Sequence, residues 1–204
     1  MMLAVIGPTL VLAVLIAYEI AKNTTKERKS SDAFWDKERE ANTSRKKDIS
    51  TLPYIKVPVD TLPFGLLPAF EEIVNNEEAI REIAKEKILS LRGKTNTEVK
   101  LEYGITNFEF LCACDEQYLK LIQCLSKEAE LLLSMNFEKE AEEVLNYSLS
   151  IGSDIPKDYI ALAKLYKARF DRASMNNLLE RADALESLTK RHLIDSLEDI
   201  SDSF

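Results

Sequence analysis

The sequence predicts an all-α protein: an N-terminal transmembrane helix, an extended linker punctuated by proline, and a domain of stacked helical hairpins. Three observations predict this. They are an apolar run at residues 2–21, prolines spaced five residues apart within 48–64, and a self-similarity of period 34 within 122–183. The predicted divisions are an anchor (1–22), a basic juxtamembrane linker and strap (23–64), and a helical domain (65–204).

The apolar run at residues 2–21 has the length that a helix needs to cross a hydrocarbon core of about 30 Å. A cleavable signal peptide begins with basic residues and ends in small ones. Here no Lys or Arg precedes the run, and Tyr18, Glu19 and Ile20 stand where small residues would be expected. We therefore expect an uncleaved membrane anchor, with Glu19 near the interface beside Lys22.

The charge that follows the run predicts its orientation. Residues 22–47 hold nine Lys or Arg against five acidic residues, a net charge of +4. Because basic flanks tend to stay in the cytoplasm, we expect a single-pass protein of the plasma membrane with its N-terminus outside and its C-terminal domain in the cytoplasm. A periplasmic or extracellular domain is the alternative. Three cysteines, an odd number, agree with a reducing compartment.

The remainder of the chain is acidic. The whole chain carries −8 and residues up to 47 contribute +3, so residues 48–204 carry −11. Such a potential repels phosphate backbones, and we expect no nucleic-acid partner. The expected partners are the membrane, through residues 2–21, and a protein or peptide.

The linker contains one predicted helix. Ser31 or Asp32 caps it, and it runs through Arg45 with Phe34 and Trp35 as its only large apolar residues. Trp35 is the only tryptophan of the chain. Its position leaves two interpretations open, either in the lipid interface or packed on the domain.

The segment from Asp48 to Phe64 contains Pro53, Pro58 and Pro63. Proline lacks a backbone donor and disfavours helix at the preceding residue, so this segment is expected to be extended. It is too apolar for a free linker, since it contains the large hydrophobics Leu52, Ile55, Val57, Val59, Leu62 and Phe64. We therefore predict a strap that lies along the helical domain.

Helical periodicity begins at Pro68 and continues to Leu91, with Gly93 as a stop and Asn75 and Asn76 as a point where the helix could break. Two further helices are predicted in the middle of the chain. The first spans Asn96–Tyr103 and is ended by Gly104, and the second is capped by Asn107 and runs through Leu133.

A shift of 34 residues superposes similar residue types within 122–183. The aligned pairs are Leu125 with Tyr159, Ala129 with Ala163, Leu132 with Tyr166, Leu145 with Leu179, and Ser148 with Ala182. This pattern, with small residues where two helices cross, resembles a degenerate tetratricopeptide repeat over about a third of the chain. It departs from the family at Phe137, which falls one residue early, and at Met175, where alanine is expected.

The resemblance implies stacked helical hairpins closed by a capping helix, and Asp171–Ile200, which lacks Gly and Pro, would supply the last two helices. In that family the first helix of each hairpin lines a binding groove. Partner-binding residues would then be Tyr159, Tyr166 and Lys167, with the alternative that the tyrosines belong to the core. The overall layout is also similar to uncharacterised single-pass membrane proteins of Gram-positive bacteria, which implies no activity.

The sequence offers little for catalysis. His192 is the only histidine, and Cys112, Cys114 and Cys124 do not have the Cys-x-x-Cys spacing of redox or zinc sites. The five glycines are isolated, so there is no phosphate-binding loop. We expect no catalytic residues, no metal and no cofactor, and thus not an enzyme.

Two functional hypotheses remain. The first is a membrane-anchored interaction or scaffold module that presents a helical-repeat surface at the cytoplasmic face. The second is a closed structural subunit whose groove is filled by its own strap at 49–64. An enzyme would need a pocket of convergent polar groups, which no arrangement in the sequence requires.

Overall fold

A computed structural model of the protein describes Lys22, residues 31–186 and residues 190–202. Within these residues every regular element is an α-helix, apart from a single isolated β-bridge, so the all-α prediction is confirmed. The predicted anchor at 2–21 lies outside the described residues. Among the helices that are described, none combines the length and the apolarity that a membrane crossing requires.

Eight helical segments occur within residues 31–186 and 190–202. Residues 31–42 are helical and are named α1 here. The others are α2 (Glu71–Ile83), α3 (Asn96–Tyr103), α4 (Ile105–Ser134), α5 (Glu138–Ser150), α6 (Pro156–Ala168), α7 (Arg172–Asp183) and α8 (Lys190–Ser201).

The chain divides into two compact units. Of the described residues, the first unit combines those up to Ile49 with Lys94–Glu109, and the second combines Ser50–Gly93 with those from Phe110 onward. Helix α4 contributes residues to both units. The predicted division at residues 22 and 64 stays a prediction.

In the first unit, the end of α1 and the residues after it pack on α3. Ala41 is fully buried, and the Ser44 hydroxyl donates to the Lys100 carbonyl at 2.7 Å while accepting from the Ile105 amide at 2.9 Å. Helix α1 ends at residue 42, short of the predicted Arg45. The chain leaves the helix at this point because Ser44 bonds to α3 instead.

Helix α3 has the predicted bounds, because a capping box formed by Thr95 and Glu98 starts it and Gly104 follows its end. Helix α4 begins at Ile105, two residues before the predicted cap at Asn107. The Asn107 side chain does not cap the helix. Its amide donates to the carbonyl oxygens of Lys47 at 2.8 Å and Tyr103 at 2.7 Å.

In the second unit, α2 is shorter than the predicted helix from Pro68 to Leu91. It ends at Ile83 because the following residues bond to other parts of the unit. The Ile55 amide donates to the Ile88 carbonyl at 2.8 Å, and the Leu89 amide donates to the Cys114 carbonyl at 3.3 Å. The break considered at Asn75 and Asn76 does not occur, since α2 is continuous through both.

The predicted strap is irregular in structure and rich in turns. The Thr61 amide donates to the Pro58 carbonyl at 3.0 Å, and the Phe64 amide donates to the Leu62 carbonyl at 2.7 Å. Its apolar side chains nevertheless pack on the helical core, and the Gly65 amide lies 2.8 Å from both carboxylate oxygens of Glu77. The strap residues in contact with the core are Ile55, Val57, Leu62 and Phe64.

The backbone of the second unit repeats with the 34-residue period. The turn after α4 contains Asn136 at φ 64°, and the turn after α6 contains Phe170 at φ 55°. In each turn the next amide bonds to a carbonyl five residues earlier, Phe137 to Leu132 and Asp171 to Tyr166, both at 2.9 Å. These bonds belong to the Schellman motif that ends helices in a left-handed residue.

Nine of the ten side chains aligned by the 34-residue shift are buried, and Leu179 is partly buried. The small residues Ala129, Ala163, Ser148 and Ala182 have almost no exposed surface, as expected where helices approach closely. Helix α6 packs against α5, α7 and α8, and α7 packs against α8. Leu193 and Leu197 carry the buried side of α8.

Candidate protein-binding surface

Helix α6 is the most enclosed helix of the second unit. The helix begins at Pro156. The proline ring holds φ near the helical value, and the backbone N–H that proline lacks would have no hydrogen-bond partner in the first turn of a helix. Residues on one broad side of the helix are buried: Asp158, Tyr159, Leu162, Ala163, Leu165 and Tyr166. This packing holds the helix in one orientation, so the residues that are not buried stay on its opposite side.

The three residues predicted to bind a partner do not share one surface. Tyr159 is 1% exposed and its hydroxyl lies 3.3 Å from the Ser153 carbonyl, to which it donates. Tyr166 is also buried, and its hydroxyl accepts from the Asn146 amide at 3.2 Å. Burial raises the pKa of both phenols. The tyrosines thus lie in the core, which was the alternative interpretation, whereas Lys167 lies on the partly exposed side.

The side of α6 that is not buried forms a continuous stripe, which we call the α6 face. It repeats at helical spacing and includes three lysines but no acidic residue. Lys157 pairs with Glu130 of α4 at 3.0 Å, a contact between two well-exposed side chains that stabilises little. The residues of the α6 face are Lys157, Ile160, Ala161, Lys164, Lys167 and Ala168.

Of the α6 face, the sequence prediction names only Lys167, although the sequence holds a signal for the other two lysines. Within PKDYIALAKLYKA the lysines at 157, 164 and 167 fall at spacings of seven and three, so they lie on one side of a helix. The two tyrosines that the family resemblance implied occupy the opposite side of α6.

A buried carboxyl ties α6 to α4. Asp158 is 2% exposed and accepts a hydrogen bond from the Ser126 hydroxyl. Burial raises the pKa of Asp158 to about 6, against the opposing effect of the Ser126 hydrogen bond. The second oxygen of the carboxyl has no hydrogen-bond partner among the described residues. Asp158 is therefore part of the helix contact and does not belong to the α6 face.

A second buried carboxyl lies between α2 and α4. Glu128 is fully buried, and the Asn76 amide donates to its Oε2 at 2.7 Å and to the Cys124 carbonyl at 3.0 Å. Desolvation raises the pKa of Glu128 to about 7, and the nearby Glu77 acts in the same direction. This pairing explains why α2 continues through an asparagine pair.

A groove of about 660 Å³ runs between the strap and α5. Its walls mix apolar and charged groups, and Arg169 at one end is paired with Glu142. Burial raises the pKa of the Tyr147 phenol in this groove to about 12. The lining residues are Pro58, Thr61, Leu62, Lys139, Glu142, Glu143, Asn146, Tyr147 and Arg169.

The cysteines are free thiols on α4, and burial raises the pKa of each. A raised thiol pKa lowers the thiolate fraction and so the reactivity. His192 is exposed on α8. Among the residues described, no group of three or more His, Cys, Asp or Glu side chains is arranged to hold a metal ion.

Comparison of the chain with protein-family models, with curated proteins and with solved structures found no match. The function is accordingly inferred from the residues of this chain.

Proposed function

We propose that this chain is a membrane-anchored protein-interaction or scaffold module. Residues 2–21 hold it in the plasma membrane, and its tetratricopeptide-like helical pairs face the cytoplasm and bind a protein partner. The observation that carries the proposal is the α6 face, where Lys157, Lys164 and Lys167 lie on one stripe of a helix whose other side is buried in the core.

The tetratricopeptide-like assignment is supported by two independent features. Small residues, Ala129 and Ala163, are buried at the same position of successive hairpins. The left-handed turn residues Asn136 and Phe170 recur with the same period in the backbone. First helices line the groove in the family that the sequence resembles, and α6 is the first helix of the second hairpin.

The chemistry of the α6 face favours an acidic partner segment. The chain as a whole carries −8, so most of its surface repels such a segment, and a lysine stripe is a local exception. Lys157 and Lys167 are ten residues apart, which is about 15 Å along the helix axis. The lysines are accompanied by the exposed Ala168 and by Ile160 and Ala161, which pack partly on the core and leave part of their apolar surface exposed. Such a mixture of charge and apolar surface suits one side of an amphipathic helix or an extended peptide.

Photo-cross-linking of the full chain in its native membrane tests the proposal. A photoreactive residue replaces Ala161 at the centre of the α6 face, and the cross-linked protein is identified by mass spectrometry. We expect Lys164→Glu to reduce the cross-link, because it adds an acid to the stripe. The matched variant Lys120→Glu, on an exposed position of α4, should retain it. Equal cross-linking in both variants, or none in the chain that carries the photoreactive residue alone, would contradict the proposal.

Protease treatment of sealed vesicles tests the membrane part separately. The C-terminal domain should be cleaved in inside-out vesicles and protected in right-side-out vesicles, because the basic flank follows the apolar run. The reverse pattern would place the domain outside the cytoplasm, and extraction of the chain by salt alone would exclude a spanning anchor.

The closed structural subunit is the second candidate. It is supported by the packing of strap residues on the core and by the bonds from Gly65 to Glu77. Its groove lies beside α5, whereas the α6 face lies on the partly exposed side of α6. With the photoreactive residue at Lys139, which lines this groove, in place of Ala161, replacing the buried strap residue Leu62 by Asp should raise partner cross-linking if the strap is a competitor. Unchanged cross-linking in a folded variant would exclude that role.

A further inference from the structure

Two adjacent aromatic side chains of the first unit are exposed. Phe34 is 54% and Trp35 57% exposed, and their rings meet edge to face with centroids 5.4 Å apart. Aromatic pairs of this size are normally buried, because each ring carries a large apolar area. We call them the aromatic pair.

The aromatic pair has a defined direction on α1. A helix turns by about 100° per residue, so Phe34 lies on the same stripe as the buried Ala41. On the same basis Asp36 and Glu40 lie on roughly the opposite side of the helix, and Lys37 lies beside the pair. Glu38 lies on the same side as the pair, one turn further on, where its carboxylate accepts hydrogen bonds from Thr97 and Lys100 of α3. The pair therefore extends the buried side of α1 beyond the part that packs in the first unit.

The charge and the position of this region complement an anionic membrane surface. Residues 22–47 carry a net charge of +4, and the aromatic pair follows the apolar run at 2–21 by only 12 residues. Basic residues near a bilayer are attracted by anionic headgroups. Tryptophan is enriched at the level of the headgroups, where its ring is partly in apolar and partly in polar surroundings.

From this arrangement we infer that Phe34 and Trp35 insert into the headgroup region of an anionic bilayer and dock the first unit on the membrane. The inference rests on the proposed anchor, which brings α1 to the lipid. Docking at this point attaches α1 to the membrane a second time, next to the anchor. The lipid headgroup region then covers the exposed aromatic pair.

The fluorescence of Trp35 reports the contact directly, since it is the only tryptophan of the chain. The full chain is reconstituted into vesicles that contain phosphatidylglycerol, with and without lipids brominated in the upper acyl chain. We expect brominated lipid to reduce the emission of Trp35 by about twofold, as for a ring at the interface. Aqueous iodide should quench it weakly, and vesicles of phosphatidylcholine alone should show less quenching by brominated lipid.

Two variants test whether the quenching depends on the aromatic pair. Phe34→Ser keeps the reporter but removes half of the apolar contact, so it should reduce quenching by brominated lipid. Phe70→Ser removes a ring of similar exposure, 46%, from the second unit and should leave the quenching unchanged. Equal effects of the two variants would contradict insertion of the aromatic pair.

The outcomes separate this inference from the proposed function. If the chain floats with the vesicles but Trp35 is quenched by iodide and not by brominated lipid, the anchor stands and the docking is wrong. If Trp35 is shielded from both quenchers, protein covers the pair, either a second copy or another part of this chain, and the docking is again wrong. If the chain does not float with the vesicles, both the anchor and the docking are wrong.

Discussion

Asn136 and Phe170 lie 34 residues apart, and in the described chain they are the two residues other than glycine with a positive φ, 64° and 55°. Each stands in the turn between the two helices of a hairpin. The period that relates side chains in the sequence therefore also relates the backbone of the two turns. A repeated backbone conformation requires no similarity of side chains, because Asn and Phe have little in common.

Replacing Phe170 by Gly should stabilise the protein. A bulky residue incurs a steric penalty in the left-handed region that glycine avoids. The Phe170 side chain is 78% exposed, so its removal sacrifices little packing. After the greater flexibility of glycine in the unfolded chain is counted, we expect a gain of about 0.5–1 kcal/mol in the free energy of unfolding, measured by urea denaturation.

Asn136→Gly is the matched control. Asparagine tolerates the left-handed region better than phenylalanine, so this variant should gain less than Phe170→Gly. If Phe170→Gly instead destabilised the protein, the exposed ring would have to make contacts that outweigh its backbone penalty.

Enlarging the small residue at the helix crossing should destabilise the second unit. Ala163 has no exposed surface, and the extra atoms of Ala163→Leu must displace packed neighbours at a cost of about 1–3 kcal/mol. Ala168→Leu introduces the same side chain at an exposed position of the same helix and should change stability little. Urea denaturation followed by circular dichroism measures both. Similar stabilities for the two variants would contradict a close crossing at Ala163.

The sequence predicts those features that depend on neighbouring residues. The bounds of α3 follow from Thr95, which caps the helix, and from Gly104, which follows it. The end of α2 depends instead on a contact across more than 30 residues, the bond between Ile55 and Ile88, and periodicity carries no information about it. The same holds for Asn76, whose partner Glu128 lies 52 residues away.

Of the three residues predicted to bind a partner, Tyr159 and Tyr166 lie on the buried side of α6, and Lys167 lies on its partly exposed side. The spacing of Tyr159 and Tyr166 fits residues of a helical core and residues of a binding groove equally well, because residues of both kinds recur at helical spacing. Only the positions of the neighbouring helices decide which side of α6 is covered. The lysines at 157, 164 and 167 lie on the uncovered side, where a charged stripe is readily solvated.

The stability of the second unit should fall as the pH rises from about 4.5 to about 7. Burial raises the pKa of Glu128 from its ordinary value of 4.5 to about 7, so the folded state binds a proton that the unfolded state has released. The stabilisation that this bound proton contributes is fully present below the pKa of Glu128 in the unfolded chain. It is lost as the pH rises through the pKa of Glu128 in the folded protein. By this linkage the loss reaches up to about 3 kcal/mol.

Glu128→Gln tests this pH dependence, because an amide of the same shape does not titrate. The variant should flatten the slope of unfolding free energy between pH 5 and pH 8 and should be more stable than the unsubstituted chain at pH 8. A smaller slope remains from Asp158, whose pKa is raised to about 6, and Asp158→Asn should remove it. Glu143→Gln, at an exposed position, should leave the slope unchanged. A slope equal to that of the unsubstituted chain in Glu128→Gln would show that Glu128 is charged in the folded state.

Replacing Gly104 by Ala should disrupt the first unit. Gly104 has φ 88°, and an added Cβ would approach the Arg45 backbone carbonyl carbon to 2.7 Å, far inside van der Waals contact. The backbone after α1 must then move away, and the bonds that Ser44 makes to α3 and α4 are lost with it. Strain and lost contacts together should cost about 3 kcal/mol or more.

Gly65→Ala separates backbone strain from this steric clash. Gly65 has a similar φ, 79°, but an added Cβ would meet no atom within 4 Å. It should therefore cost only the strain of a left-handed alanine, about 1 kcal/mol. Hydrogen exchange of the α3 amides should accelerate in Gly104→Ala and stay unchanged in Gly65→Ala. Equal protection of α3 in the two variants would mean that the chain around Arg45 does not pack against Gly104.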